Sequence, residues 1–242
     1  DHGQTNCKTP FAVPYIEKVY NVLPAVGGAD AETVEQAKER APLQIKSRDR
    51  AVTSEDFETL ALRSTTSIAR AKAMSSDDQA GHVQLVIIPR GDEKNLDLTR
   101  KLVPPPELCR FVRHYLDERR LITTILDVTK PDYVEISLKV TLIRRTVGQS
   151  ERLRTEIEQR LRKYLHPLLG GKDGKGWPFG RPVYRTDLVH MVEDIPGIEA
   201  IESIQIYDED RRVNVDSVRL SDDELPHIVN VAVVERVRQE MI

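Results

Sequence analysis

Two cysteines, few aromatic rings, no dominant sign of charge and no long apolar run characterise this 242-residue sequence. Each shortage excludes something. Cys7 and Cys109 stand far apart, and neither belongs to a CxxC. That rules out a disulfide framework and points to synthesis in a reducing compartment, the cytoplasm. Aromatic residues are 5% of the chain, and the net charge is −3 with no lysine–arginine block. Nucleic-acid binders carry a basic stripe and rings for base stacking, so no nucleic-acid partner is expected. No apolar run approaches the roughly 20 residues that a spanning helix needs, so no membrane span is expected, and no signal peptide is visible.

Charge and regular patterning are what the chain does have. Charged residues reach 31% and apolar residues 39%. That suits one large domain or two small ones with modest cores. Residues 1–29 are short β-prone runs broken by proline, expected to be a linker or the end of a missing N-terminal domain. A helix is expected over "DAETVEQAKERAPL", with Asp30 able to cap it and Pro42 stopping it. Thr53 is a strong N-cap for the next helix, with Glu55 and Asp56 in its first turn and Val52–Phe57 as a hydrophobic staple.

Two strands follow, "SIARAKAMSS" and "HVQLVIIPR", then a proline-opened helix over "PPPELCRFVRHYLDERRL". Its spacing assigns Leu108, Phe111, Val112, Tyr115 and Leu116 to the buried face, with Cys109 in the core and His114 beside it. "ITTILDV" reads as a strand. "DYVEISLKVTLIRR" alternates, placing Val134, Ile136, Leu138, Val140 and Leu142 on one face of an antiparallel strand. Leu153, Ile157, Leu161 and Leu165 make the stripe of the clearest helix, capped by Ser150. A short helix, an alternating strand over "IEAIESIQIYD" and a last apolar strand complete the chain.

The expected fold is α+β: two small antiparallel or mixed sheet units, each with helices packed on one face. A first domain over 30–130 and a second over 131–242 meet near Lys130–Pro131.

One segment stands out. "HPLLGGKDGKGWPFGRPV", residues 166–183, holds five of the twelve glycines and the only tryptophan. It fails as a P-loop, because only three residues separate Gly170 from Gly174 and Gly176 stands where Ser/Thr is needed. It fails as a dinucleotide loop, because Phe179 replaces the third glycine, and as a calcium loop, because Asp173 has no companion ligands. The six histidines, His2, His82, His114, His166, His190 and His227, form no HxH, HxxxH or HExxH. His166 ends a helix, where a partly positive ring would suit the dipole. No catalytic, cofactor-binding or metal-binding residue is assigned. The carboxylates of 208–210 and 221–224 fall in predicted turns.

Leu165, His166, Pro167, Gly170, Gly171, Gly174, Gly176, Trp177, Pro178, Phe179, Gly180, Arg181, Pro196 and Gly197 together resemble the C-terminal region of the baseplate J-like family. These are wedge proteins of contractile phage tails and contractile injection systems. Gly27, Gly28, Asp30, Glu32, Ala37, Pro42, Arg50, Ala51, Val52, Thr53, Asp56 and Phe57 carry a second match, so the resemblance covers about residues 22–207.

The resemblance implies a non-enzymatic baseplate wedge component within a phage tail-like particle. It also implies self-association, a second wedge protein, and hub, spike and sheath proteins as partners. It transfers no active site. The loop residues Gly170, Gly171, Gly174, Gly176, Trp177, Pro178, Phe179, Gly180 and Arg181 are then structural or interfacial. Trp177 and Phe179 are expected to anchor the loop in the core, the other reading being hot spots for a neighbour. An enzyme handling nucleotides or sugars through residues 170–180 is the alternative.

Overall fold

The computed structural model describes residues 49–75, 81–91, 97–144 and 150–237, with parts of 33–42. The expected linker over 1–29 and most of the first expected helix lie outside the described residues. One helical hydrogen bond of that segment is present, from Ala37 N–H to the Thr33 carbonyl at 2.9 Å.

The architecture is α+β, with helices laid on small sheets, as the pattern predicts. In chain order come α1 (Ser54–Ser64), β1 (Ile68–Ser75), β2 (His82–Pro89), α2 (Pro106–Asp117) and β3 (Ile125–Thr129). Next are β4 (Asp132–Arg144), α3 (Ser150–Leu165), β5 (Val183–Tyr184) and α4 (Arg185–Glu193). Last are β6 (Ile198–Asp208), β7 (Val213–Val215), β8 (Ser217–Val218) and β9 (Glu224–Val237).

The first sheet has the order β1-β2-β3, with β1 antiparallel to β2 and β3 parallel to it. The second has the order β7-β6-β4-β9. Lys130 and Pro131 separate the last strand of one sheet from the first of the other.

Local chemistry starts α1. Thr53 Oγ1 accepts the Asp56 N–H, and the Asp56 carboxylate accepts the Thr53 N–H at 2.8 Å, a reciprocal capping box. Val52 stays 57% exposed, so the end is closed by hydrogen bonds and not by the expected apolar staple.

On α2, Val112 and Leu116 are buried and Leu108, Cys109 and Tyr115 pack partly against them. Burial pushes the Cys109 thiol pKa up, so this side chain carries no ready thiolate. Phe111 corrects the periodicity reading: it is 51% exposed. His114 is exposed as well. The helix buries only a narrow stripe, against α1, β3 and the β2 residues Leu85 and Ile87.

The run Leu85–Ile88 is apolar because β2 is covered on both faces. Leu85 and Ile87 pack with Phe57, Leu60, Val112 and Leu116 beneath the helices. Ile88 points the other way, into the core of the second unit. That second core joins Ile136, Leu138, Val140 and Leu142 of β4 to Leu153, Ile157, Leu161 and Leu165 of α3.

Alternation along β4 therefore reads out correctly, but its setting differs from the antiparallel expectation. β4 pairs antiparallel with β6 and parallel with β9 along its whole length, so the sheet is mixed. A parallel partner from the far end of the chain leaves no local signature.

Candidate functional site

The segment 166–181 begins where α3 runs out. The Tyr164 carbonyl accepts the Gly171 N–H at 2.9 Å, and the His166 carbonyl accepts both the Gly170 N–H at 2.9 Å and the Trp177 N–H at 3.0 Å. Gly176 N–H donates to the Gly170 carbonyl at 2.8 Å. These bonds fold the loop back onto the helix end and satisfy carbonyls that α3 leaves open. Lys172, Asp173 and Lys175 stay exposed at its tip.

Two glycines show why side chains are barred at some points only. Gly176 has φ +100°, and a Cβ there would stand 2.0 Å from the Pro167 carbonyl oxygen and 2.7 Å from Arg70 Nη1. Gly174 also has positive φ, at +68°, but nothing lies within 4 Å of its would-be Cβ.

Trp177 is fully buried, among the residues of the second core. Its ring meets Tyr164 edge-on, with centroids 5.4 Å apart and planes at 78°. Its indole N–H donates to the Arg181 carbonyl at 3.0 Å, and the Arg181 guanidinium lies 4.7 Å from its ring centroid. Arg181 is held in turn by Asp187 of α4 at 3.0 Å. Burial raises the Tyr164 phenol pKa, with Asp187 adding to that and Arg181 opposing it. Pro178 is exposed, and its carbonyl accepts the Arg181 N–H at 3.4 Å. Gly180 N–H reaches the Glu224 carbonyl at the start of β9, 3.4 Å away. The short β5–β8 pair then fixes the exit of the loop.

Sequence reasoning missed the residue that organises this site, Arg70. It sits on β1 opposite Ile88 of β2, so both side chains face the second unit. Arg70 Nη1 donates to the Pro167 carbonyl at 2.5 Å and to the Trp177 carbonyl at 2.8 Å. Its guanidinium carbon lies 5.0 Å from the centroid of Phe179, which is half-buried against the same core. Burial pulls the Arg70 pKa down, with Tyr133 opposing, yet arginine keeps its charge in proteins. The loop is thus a socket: two carbonyls and one ring face receive a cation from the other sheet. The only sequence signal was an arginine inside a predicted strand, which is too common to single out.

His166 also departs from expectation. It is 3% exposed, and burial pushes its pKa from the ordinary 6.5 down to about 4. Its Nδ1 accepts the N–H groups of Leu168 and Leu169 at 3.1 and 3.3 Å. The ring is therefore a neutral turn cap, and a partly positive ring does not fit here. Among the described residues no cluster of three His, Cys, Asp or Glu side chains is placed to hold a metal, and no helix is long and apolar enough to cross a membrane.

Neither a protein-family model nor a curated protein matches the chain. Among solved structures it is similar to a chain in "Cryo-EM structure of the anti-feeding prophage (AFP) baseplate, 6-fold symmetrised", with a TM-score of 0.62 and 15% sequence identity. The match covers 90% of this chain and 46% of that one, so this chain spans about half the length of its neighbour. At this identity the likeness is one of fold, and nearly all of this chain shares it.

Proposed function

We propose that this chain is a structural wedge component of the baseplate of a contractile injection system or phage tail. It would stand in a ring around the hub and spike and couple target attachment to sheath contraction. The observation that carries this reading is the fold shared over 90% of the chain with a protein of the AFP baseplate. The resemblance of residues 165–181 and 196–197 to the baseplate J-like family supports the same assignment from sequence alone.

The physical arrangement suits such a part. A ring that rearranges needs units stiff enough to pass displacement to their neighbours. Here a half-buried cation and the two-sided strand β2 join the sheets, and Ile88 serves the second core from the first sheet. The loop uses its carbonyls and ring on Arg70, which supports a structural role over an enzymatic one.

Affinity purification of the full-length protein from cells that make such particles tests the assignment. Recovery in a high-mass particle with sheath, hub and tube proteins is expected. Recovery solely as a free monomer from those cells would overturn it. A thermal-shift screen with nucleotides, sugars and divalent metals addresses the alternative enzyme. No ligand is expected to stabilise the chain.

A further inference from the structure

At the end of α3, one buried side-chain nitrogen among the described residues has no partner within the protein. His166 accepts the Leu168 and Leu169 N–H groups at Nδ1, which places the ring proton on Nε2. Nε2 is buried, and no protein atom accepts from it. His166 also lines a cavity of about 10 Å³, together with Tyr133 of β4, Arg162 of α3 and His227 of β9. That volume matches a single water and excludes any organic ligand or hydrated ion.

Arg100 also borders the cavity, its side chain 83% exposed and its Nε 3.2 Å from the Asp97 carboxylate. Arg162 is committed to Glu158 at 2.8 Å and to the carbonyls of Ile228 and Val229 at 2.5 and 3.3 Å. Tyr133 donates its O–H to the Leu102 carbonyl at 3.0 Å and accepts the Leu102 N–H at 3.2 Å, which leaves one lone pair on its oxygen. His227 lies edge-on to Tyr133, with centroids 6.0 Å apart.

We propose that this cavity is a binding site for one internal water, which accepts from His166 Nε2–H and donates to the polar edges of Tyr133 and His227. The water would tie the start of the glycine loop to the first residues of β4 and β9. The inference stands on its own geometry and does not depend on the baseplate reading.

A crystal structure of the full chain at a resolution that orders internal water, with ¹⁵N NMR of the His166 ring, tests it. One water is expected within about 2.7–3.2 Å of Nε2, with the ring in the Nε2–H tautomer. His166→Leu should then expel that water while the fold persists by Trp177 fluorescence. A protein carbonyl bonded to Nε2, a dry cavity or an Nδ1–H tautomer would each overturn the proposal. So would a water that stays at full occupancy in His166→Leu. If that variant does not fold, the wild-type crystal and NMR measurements decide alone.

Discussion

Arg70 Nη1 lies 2.8 Å from the carbonyl oxygen of Trp177, across 107 positions of sequence and from one sheet unit to the other. The same nitrogen meets the Pro167 carbonyl, and the guanidinium plane covers Phe179. One side chain therefore closes both ends of the glycine loop and joins it to β1. Charge-assisted hydrogen bonds of this kind are about twice as strong as neutral ones.

Arg70→Ala should cost about 3 kcal/mol, since it removes two charge-assisted bonds and one cation–π contact and leaves carbonyls unpaired. Arg70→Lys should recover part of that loss, because an ammonium keeps the charge without the planar fork. Urea denaturation followed by Trp177 fluorescence measures both. Loss of a single cooperative transition in Arg70→Ala is expected if this side chain makes the two units unfold together. Wild-type stability in Arg70→Ala would remove the clasp from the account.

Gly176→Ala and Gly174→Ala should separate cleanly. Both positions have positive φ, but a Cβ at Gly176 meets backbone 2.0 Å away while one at Gly174 meets open space. Gly174→Ala should cost only the left-handed backbone, about 1 kcal/mol. Gly176→Ala should cost about 3 kcal/mol or more, because backbone and Arg70 must both move. Equal midpoints for the two variants in chemical denaturation would contradict this.

Trp177→Ala should cost roughly 3–5 kcal/mol, as truncation of a fully buried aromatic does. Trp177→Phe should cost less, since it keeps a ring against Tyr164 but drops the bond to the Arg181 carbonyl. Differential scanning calorimetry resolves the pair. Unchanged monomer stability with lost assembly would instead mark Trp177 as an interface residue.

How much of this was legible in the sequence depends on the range of the interaction. Thr53 and Asp56 are three residues apart, so their capping box could be anticipated from Thr53 and the acidic first turn. The alternation of β4 and the stripe of α3 are local periodicities and both hold, but Ser150 is the first helical residue, its hydroxyl on Glu235, and not the expected cap. Phe111 fits a helical stripe equally well, but which stripe residues are covered depends on how wide the neighbouring element is. Arg70 against Trp177 and β9 against β4 are pairings between distant positions, and no local rule encodes them. Trp177 could be named from its glycine context. The partner that explains that context could not.

Acid should weaken the fold through His166. Its pKa is about 4 in the folded chain against the ordinary 6.5, so the unfolded chain binds the proton more readily. The full contribution is present above pH 6.5, falls as pH drops from there to about 4, and is constant below. The total is at most about 3 kcal/mol. His166→Asn offers an oxygen to the same two N–H groups, in the manner of an Asx-turn, but does not titrate. Its stability should be flatter between those two pH values. An unchanged slope would assign the titration elsewhere.

Glu235 supplies the second acid-sensitive contact, at the far end of the second unit. Its side chain is 4% exposed, with Arg144 Nε at 2.7 Å, Arg154 Nε at 2.8 Å and Ser150 Oγ at 2.5 Å. Desolvation raises its pKa, but the hydrogen bonds from Ser150 and Arg154 and the charges of Arg144 and Arg154 outweigh it, so the carboxyl is held below the ordinary 4.5. Its contribution is present above that value and fades as pH falls through the lowered one. Glu235→Gln leaves Arg144, itself 14% exposed, facing a neutral group, and should cost about 3–5 kcal/mol at neutral pH. Arg154→Ala removes a partner that is 46% exposed and should cost under about 1 kcal/mol. Arg144→Met combined with Glu235→Gln should recover part of the loss, because a buried charge disappears with its partner. Strict additivity in that double-mutant cycle would show that the two side chains do not interact, whatever their separation.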